Sequence, residues 1–417
     1  MHYTLHMTPR CNLRCDYCYV NHDEENESKS ACAESARVGV INGDSANNNV
    51  ANSDAANIDT TGSNAACNDM TGVDMTRETA RAVVDLAGWE AKRAGLIFFG
   101  GEPLLLRDLI IDTVAYAHSC EHNGGCRYFF KITTNGLLLD DSFLDFACRE
   151  NLFIALSIDG VKEAHDAHRV DCSGRGSYDR VKNAARRLLA VKPYSPAMMT
   201  IRPDTLPFYA AGVESLFSLG FAYIIASLDY SADWEETYLA ELERQYQLLA
   251  QLYERKTLAE EKFYFSPFEV KISSHINNRT YCHERCELGL RQLSVGPDGT
   301  LYPCVQFVGD RKFRLGDVLS GIDEKARQAL YHRNEVEKPG CDRCVIKARC
   351  NHHCACLNRQ ATGSIDEVSP MLCAHERIVL PIADQLAERL YTKGSAIFIQ
   401  KQYNDFYPLL SYVEDRN

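Results

Sequence analysis

Six short apolar segments recur along the first part of the chain, each followed by a segment of helical period. This alternation limits the possible folds more than any other feature. The strand candidates are Tyr3–Thr8, Leu96–Phe99, Tyr128–Thr133, Phe153–Ile158, Ala197–Ile201 and Tyr223–Leu228. The helix candidates run from the N-cap Thr76 to Arg93, then Leu106–Cys120, Asp141–Glu150, Tyr178–Val191, Tyr209–Leu219 and Asp233–Lys256. Apolar strands separated by helices predict a parallel sheet, because each crossover lays a helix over the sheet. Six such β/α units are compatible with an open doubly wound sheet or a partial barrel. In barrels the reactive site lies at the C-terminal ends of the strands.

The rest of the chain departs from that rhythm in two places. Residues 21–75 are rich in Asn, Ala, Ser, Asp and Gly and nearly free of aromatic and large aliphatic side chains. Such a segment buries too little surface to offset its ordering entropy, so it is expected to be a long insertion. From Tyr281 onward cysteines dominate: nine of the 18 in the chain fall within Cys282–Cys373. The expected organisation is a β/α domain over 1–256, a cysteine-rich domain over 257–393 and a tail over 394–417. The chain carries 45 Lys and Arg against 57 Asp and Glu, a net charge of −12, which argues against nucleic acid or a membrane surface as partner. MHYTLHMTPR is not a secretory signal and no run of ~18 apolar residues follows, so a cytoplasmic location is expected. In that compartment clustered cysteines serve metals or catalysis rather than disulfides. The scattered Cys32, Cys67, Cys120, Cys126, Cys148 and Cys172 read as reduced packing or loop residues.

Directly after the first strand the sequence reads Cys11-Asn-Leu-Arg-Cys15-Asp-Tyr-Cys18-Tyr19, a C-x3-C-x2-C triplet. Three thiolates on one loop suit an iron–sulfur cluster or zinc, and three protein ligands leave one metal position open for chemistry. The competing assignment is a zinc knuckle with a fourth ligand from elsewhere. The triplet with its trailing aromatic resembles that of the radical SAM enzymes. The resemblance implies a [4Fe–4S] cluster on Cys11, Cys15 and Cys18 whose open iron chelates S-adenosylmethionine (SAM). In that family one electron cleaves SAM to a 5′-deoxyadenosyl radical, which takes a hydrogen atom from the substrate.

Further segments resemble the same family in order along the chain. Gly100-Gly101-Glu102-Pro103 resembles the segment that holds the SAM amino group. Thr134-Asn135 stands where the family approaches the ribose. Ser157 and Arg169 match the pair that binds the SAM carboxylate, and Tyr17 and Leu228 are the adenine-side candidates. His165 and His168 are read as polar surface or pocket residues rather than metal ligands. The implied fold is α/β: a partial (β/α)6 TIM-type barrel with a small loop-rich iron–sulfur extension.

That extension resembles the SPASM domain. Ser294 to Cys304 reads as a β-hairpin turning at Pro297-Asp298-Gly299, with the G-x4-C element from Gly299 to Cys304. By resemblance, Cys282, Cys286, Cys304 and Cys354 would hold one auxiliary [4Fe–4S] cluster, and Cys341, Cys344, Cys350 and Cys373 a second. Three clusters in all are then expected. Cys356 is a spare that could displace an assigned ligand. The same eight thiols would also suit two structural zinc sites, which would make the chain a non-catalytic binding protein.

Two branches of the family share this layout. In the anaerobic sulfatase-maturing enzymes an Asp follows the hairpin cysteine as base, whereas here Val305 and Gln306 follow Cys304. The segments Cys304–Val308, Cys354–Asn358 and Ala361–Gly363 look more like maturases of ribosomally made peptides, those acting on cysteine-repeat targets. The expected reaction is hydrogen abstraction from a residue of a precursor peptide, leading to a thioether or another crosslink. The general base is not assigned. A reductant such as ferredoxin or flavodoxin is expected. Leader recognition is expected from the barrel, the insertion or a separate recognition protein.

Overall fold

The computed structural model describes residues 1–21, 73–122, 125–277, 287–404 and 406–407. Most of the biased segment, and with it Cys32 and Cys67, lies outside the described residues, as do Cys282 and Cys286. The fold is mixed α/β, organised on a nine-stranded and mostly parallel sheet.

The first half contains β1 (His2–His6), β2 (Leu13–Cys15), α1 (Arg77–Glu90), β3 (Arg93–Phe99), α2 (Arg107–His122), β4 (Arg127–Thr134), α3 (Asp141–Arg149), β5 (Phe153–Ser157), α4 (Lys162–His168), β6 (Arg169–Asp171), α5 (Tyr178–Val191), β7 (Pro196–Ile201), α6 (Tyr209–Leu219), β8 (Tyr223–Leu228) and α7 (Thr237–Leu258). The second half adds β9 (Tyr264–Phe265), α8 (Ser266–Ile276), β10 (Gln292–Val295), β11 (Leu301–Tyr302), β12 (Gly316–Asp317), β13 (Gly321–Ile322), α9 (Glu324–Glu335), α10 (Ala355–Thr362), α11 (Pro370–Thr392) and α12 (Ala396–Tyr403).

The main sheet runs β11-β10-β1-β3-β4-β5-β7-β8-β9, so the six expected strands lie side by side in chain order. All pairs within that set are parallel. Their inner side chains, among them Leu5, Leu96, Phe98, Ile132, Ile154 and Ile224, are fully buried. Local chemistry fixes the helix starts. The Thr76 hydroxyl accepts from the Thr79 N–H at 3.1 Å, and Asp140 accepts from the Phe143 N–H at 2.8 Å. Each such cap is worth about 1 kcal/mol.

The second half is built into this sheet rather than merely joined to it. β10 pairs in parallel with β1, and β11 folds back on β10 through the Pro297-Asp298-Gly299 turn. At the other edge β9 extends β8. Helix α11 packs on α7 and α8, where Lys271 and Glu376 form a buried ion pair at 2.6 Å. His375, also on α11, is held between the hydroxyls of Tyr230 and Tyr246 at 2.6 and 2.7 Å. The start of the C-terminal tail lies on the chain's own surface. Phe398 of α12 is buried, and Ile397 N–H donates to Glu260 at 2.8 Å. No helix among the described residues is long and apolar enough to cross a membrane.

Two expectations need correction. The helix expected from Asp233 begins at Thr237, because Trp234 is used beforehand to close a turn, its indole N–H donating to the Asp229 carbonyl at 2.7 Å. Cys172, read as a reduced bystander, is disulfide-bonded.

Phe98 is fully buried on the central strand β3. Replacing it with Ala should lower unfolding stability by about 3–5 kcal/mol, because the cavity adds to the lost transfer energy. Denaturant unfolding, comparing midpoints at constant slope, is the measurement.

Candidate active site

The cysteine triplet is fixed by two kinds of backbone contact. Residues 13–15 form the short strand β2, which pairs antiparallel with β6 so that Cys15 faces Arg169. The loop ahead of it is clasped by the glycine segment after β3. Gly101 N–H donates to the Thr8 carbonyl at 2.7 Å and Glu102 N–H to the Arg10 carbonyl at 2.9 Å. Glycine is required at both positions. Gly100 has φ of +121°, and a Cβ there would stand 2.7 Å from the Thr8 carbonyl oxygen. A Cβ on Gly101 would run into the Arg10 carbonyl.

The three thiols open into one cavity of about 370 Å³ at the C-terminal ends of the strands. Its wall includes Cys11, Cys15, Cys18, Tyr17, Gly100, Gly101, Thr134, Asn135, Ser157, Arg169 and Leu228. The sequence scatters these residues over more than half the chain. Only Glu102 of the expected cofactor contacts is turned away from this wall. Its carboxylate is fully buried and accepts from the Leu104 N–H at 3.0 Å, the Thr134 hydroxyl at 2.7 Å and the Asn135 N–H at 2.8 Å. Glu102 therefore sets the positions of two wall residues. Burial pushes its carboxyl up to about 7, against the opposing pull of those three hydrogen bonds.

Sequence reasoning missed the residue that ties the cavity together. Asp159, at the end of β5, is buried and accepts from the Tyr17 hydroxyl at 2.6 Å, from Arg169 Nε at 2.7 Å and Nη2 at 3.1 Å, and from the Thr200 N–H at 2.9 Å. Burial alone would raise its carboxyl. The Arg169 charge and the hydrogen bonds outweigh burial and hold it below the usual carboxylate range. The Arg169 guanidinium also lies 5.3 Å from the Tyr17 ring centroid. Nearby, His165 accepts from the Asp159 N–H at 3.2 Å and meets Ser177 at 2.9 Å, while His168 lies between Asp16 and Asp204 at 2.9 and 3.1 Å. Both histidines thus have structural partners.

The cavity suits a metal cluster by its donor chemistry. Burial, followed by the charge on Glu102, raises the Cys11 thiol, and burial pushes Cys15 up to about 12. Such sulfurs become thiolates when a cation replaces the proton. Among the described residues, no three Cys, His, Asp or Glu side chains already enclose a point for an ion.

The C-terminal cysteines fall into two groups. Cys341 lies within electrostatic reach of Cys344 and Cys373, and Cys350 of Cys373. Arg377 donates to the Cys373 sulfur at 3.5 Å. In the other group the Cys356 thiol donates to Cys304 at 2.9 Å and also bonds Cys354, so the spare of the sequence sits between two expected ligands. This group lies close behind Tyr19, which also borders Cys18. A second cavity of about 420 Å³ shares Tyr19, Val20 and Gln306 with the first. It adds His6, whose Nε2 is buried without a hydrogen-bond partner, and Val305.

Glu102 gives a pH prediction with a definite sign. Its folded pKa lies above the unfolded value of 4.5, so the folded state binds the extra proton between about pH 4.5 and 7. Its contribution is present below pH 4.5 and is lost as pH rises through 7. Glu102→Gln should remove that share of the slope. Urea unfolding at pH 5 and 7.5 of both proteins measures it, and equal slopes would refute it.

Residues 5–206 match the Radical SAM superfamily. A cysteine-type anaerobic sulfatase-maturating enzyme of Clostridium perfringens is 25% identical over 256 residues, covering 57% of this chain and 65% of that relative, just under two thirds of its length. A serine-type counterpart from Klebsiella aerogenes is 20% identical over 96% of this chain and 92% of its own. In fold, the chain is similar to native anSMEcpe with bound AdoMet, with a TM-score of 0.72, 18% identity and coverage of 94% and 100%. Streptococcus suis SuiB bound to S-adenosylmethionine gives a TM-score of 0.54 at 13% identity, with coverage of 89% and 76%. A sheet in this strand order, with three cysteines on the loop after its first strand, is accounted for by one conclusion: residues 5–206 are a radical SAM domain, in a protein homologous to anaerobic sulfatase-maturating enzymes.

Proposed function

We propose that this protein is a radical SAM maturase of a peptide or protein substrate, with Cys11, Cys15 and Cys18 as ligands of the SAM-binding [4Fe–4S] cluster. One observation carries the reading. A single cavity gathers the three thiols with eight of the nine side chains or glycines that the resemblance assigns to SAM. When bound, the cluster and SAM supply a one-electron reductive cleavage that yields a hydrogen-abstracting radical. The chain's part is to bind, orient and exclude water. Gly100 and Gly101 let a ligand approach backbone. Asn135 is oriented by its side-chain Nδ2, which donates to Asn12 Oδ1 at 2.8 Å and to the Cys11 sulfur at 3.6 Å. Arg169 is held in place by Asp159, so it offers charge to a carboxylate without having to be ordered at the moment of binding.

The two further cysteine groups are proposed as auxiliary [4Fe–4S] ligands of a SPASM extension to a partial barrel. Cys282 and Cys286 would complete the group of Cys304 and Cys354. Cys341, Cys344, Cys350 and Cys373 would form the other. Four-cysteine ligation suits electron transfer from the substrate radical.

Peptide maturation is favoured by the residues beside Cys304. Val305 and Gln306 line the second cavity, and neither is a base. The solved structure of SuiB bound to precursor peptide SuiA shares the fold, with a TM-score of 0.55. Sulfatase maturation is the second reading, carried by the homologues. On that reading another group takes the proton.

Anaerobic reconstitution should bring about 12 iron and 12 sulfide per chain, and zinc without iron would overturn the proposal. Reduced protein should cleave SAM to 5′-deoxyadenosine, and Cys15→Ala should abolish this. Cleavage persisting in the variant would refute the triplet assignment. Crosslinking of a cysteine-bearing precursor peptide, or formylglycine on a sulfatase peptide, read by mass spectrometry, separates the two readings.

A further inference from the structure

Cys356 has no place in the eight-ligand assignment, yet it is not isolated. Its thiol lies 2.9 Å from the Cys304 sulfur, and both cysteines are free. Two elements far apart in sequence make this contact. Cys304 follows the β10–β11 hairpin in an extended conformation, with φ −160° and ψ 160°. Cys356 is the second residue of α10. Cys304 is only 5% exposed, but Gln306 and Leu357, each within two residues of a thiol, line the SAM-side cavity. The pair therefore stands just behind that wall.

The separation distinguishes between two uses of the pair. Two sulfurs bound to one tetrahedral metal through ~2.3 Å bonds are about 3.7 Å apart. At 2.9 Å these two are closer than shared ligation allows, and about 0.9 Å of approach would bring them to a disulfide bond length. Cys356 also bonds the Cys354 sulfur, so a Cys354–Cys356 linkage is the competing product.

We infer that Cys304 and Cys356 form an oxidation-sensitive dithiol whose disulfide removes Cys304 from the auxiliary donor set. The step is a two-electron oxidation. Both S–H bonds break, one S–S bond forms, and two protons leave to solvent. The electrons pass to dioxygen, giving hydrogen peroxide, or to a low-molecular-weight disulfide, giving two thiols. In the iron-loaded protein Cys304 is occupied as a thiolate ligand, so the disulfide belongs to the cluster-free chain. This coupling rests on the proposed auxiliary role of Cys304, whereas formation of the disulfide does not.

The full chain is prepared without iron under anaerobic, reducing conditions, then exposed to air-saturated buffer or to oxidised glutathione. Free thiols are alkylated and peptides are mapped without reduction. A peptide linking Cys304 to Cys356 is expected. Anaerobic reconstitution of the oxidised protein without reductant should then fall about four iron short of the reduced protein. Cys356→Ser and Cys356→Ala should show no linked peptide and full iron uptake after the same treatment. Recovery of both cysteines as alkylated thiols, or of a Cys354–Cys356 link in place of the Cys304 link, would overturn the inference. So would an iron deficit in fully reduced Cys356→Ser and Cys356→Ala, since Cys356 would then be a ligand. If fully reduced wild-type protein takes only about four iron, the auxiliary-cluster reading fails, and the dithiol stands or falls on the peptide map.

Discussion

The site depends on a buried carboxylate. Asp159 sits at the end of β5, and its two oxygens hold Tyr17 from the cysteine loop, Arg169 from β6 and the backbone of Thr200 from β7. Burial of an ion pair costs desolvation energy that direct attraction barely repays, so the pair is not there for stability alone. It converts three separately folded segments into one wall. Removing the carboxylate would leave the Arg169 charge buried and unpaired, at a cost of about 3–5 kcal/mol. It would also release Tyr17 from between Cys15 and Cys18. The pairing of β2 with β6 repeats the same link through the backbone, with Cys15 opposite Arg169.

This wall explains how buried thiols can be kept ready for a cation. Cys11 and Cys15 resist ionisation because burial disfavours the thiolate. A loop free to move would relieve that by opening to water. The Gly100-Gly101 clasp and the pairing of β2 oppose that opening, and a bound cation would supply the ionisation instead. Cys341, Cys344, Cys350 and Cys354 lie among turns and a one-turn helix, with few buried apolar side chains between Val336 and Ala355. Metal binding there would contribute to the order of the chain as well as to its chemistry.

The legible parts of the sequence were those written in local pattern. All six strands are present in the expected order, because apolar strands between amphipathic helices leave few alternatives. The hairpin before Cys304 turns where Pro297-Asp298-Gly299 predicts. What stayed hidden is long-range. Tyr17 and Asp159 are 142 positions apart and Cys304 and Cys356 are 52, and no periodicity records such contacts. Asp159 carried a weak signal as a carboxylate between a buried strand and Gly160, a place where charge is costly unless paired. Glu102 illustrates a different limit. A motif names a residue, but only packing shows that its carboxylate turns toward Thr134 and Asn135.

The fold is shared by the sulfatase-maturating and the peptide-modifying structures to which this chain is similar, so the residues that set it apart lie in its cavities. The chain overlays nearly all of anSMEcpe, and at 18% identity that likeness speaks of architecture. The discriminating atoms are those around the second cavity. Val305 stands directly after Cys304, where the resemblance to sulfatase-maturing enzymes would put a carboxylate. His6 and Tyr19 instead present a buried nitrogen and a buried hydroxyl, neither with a hydrogen-bond partner. Burial lowers the His6 imidazole to about 3, so it stands neutral and able to accept a hydrogen bond. Tyr19 borders both cavities and His6 the second one, and each ring packs against Phe99.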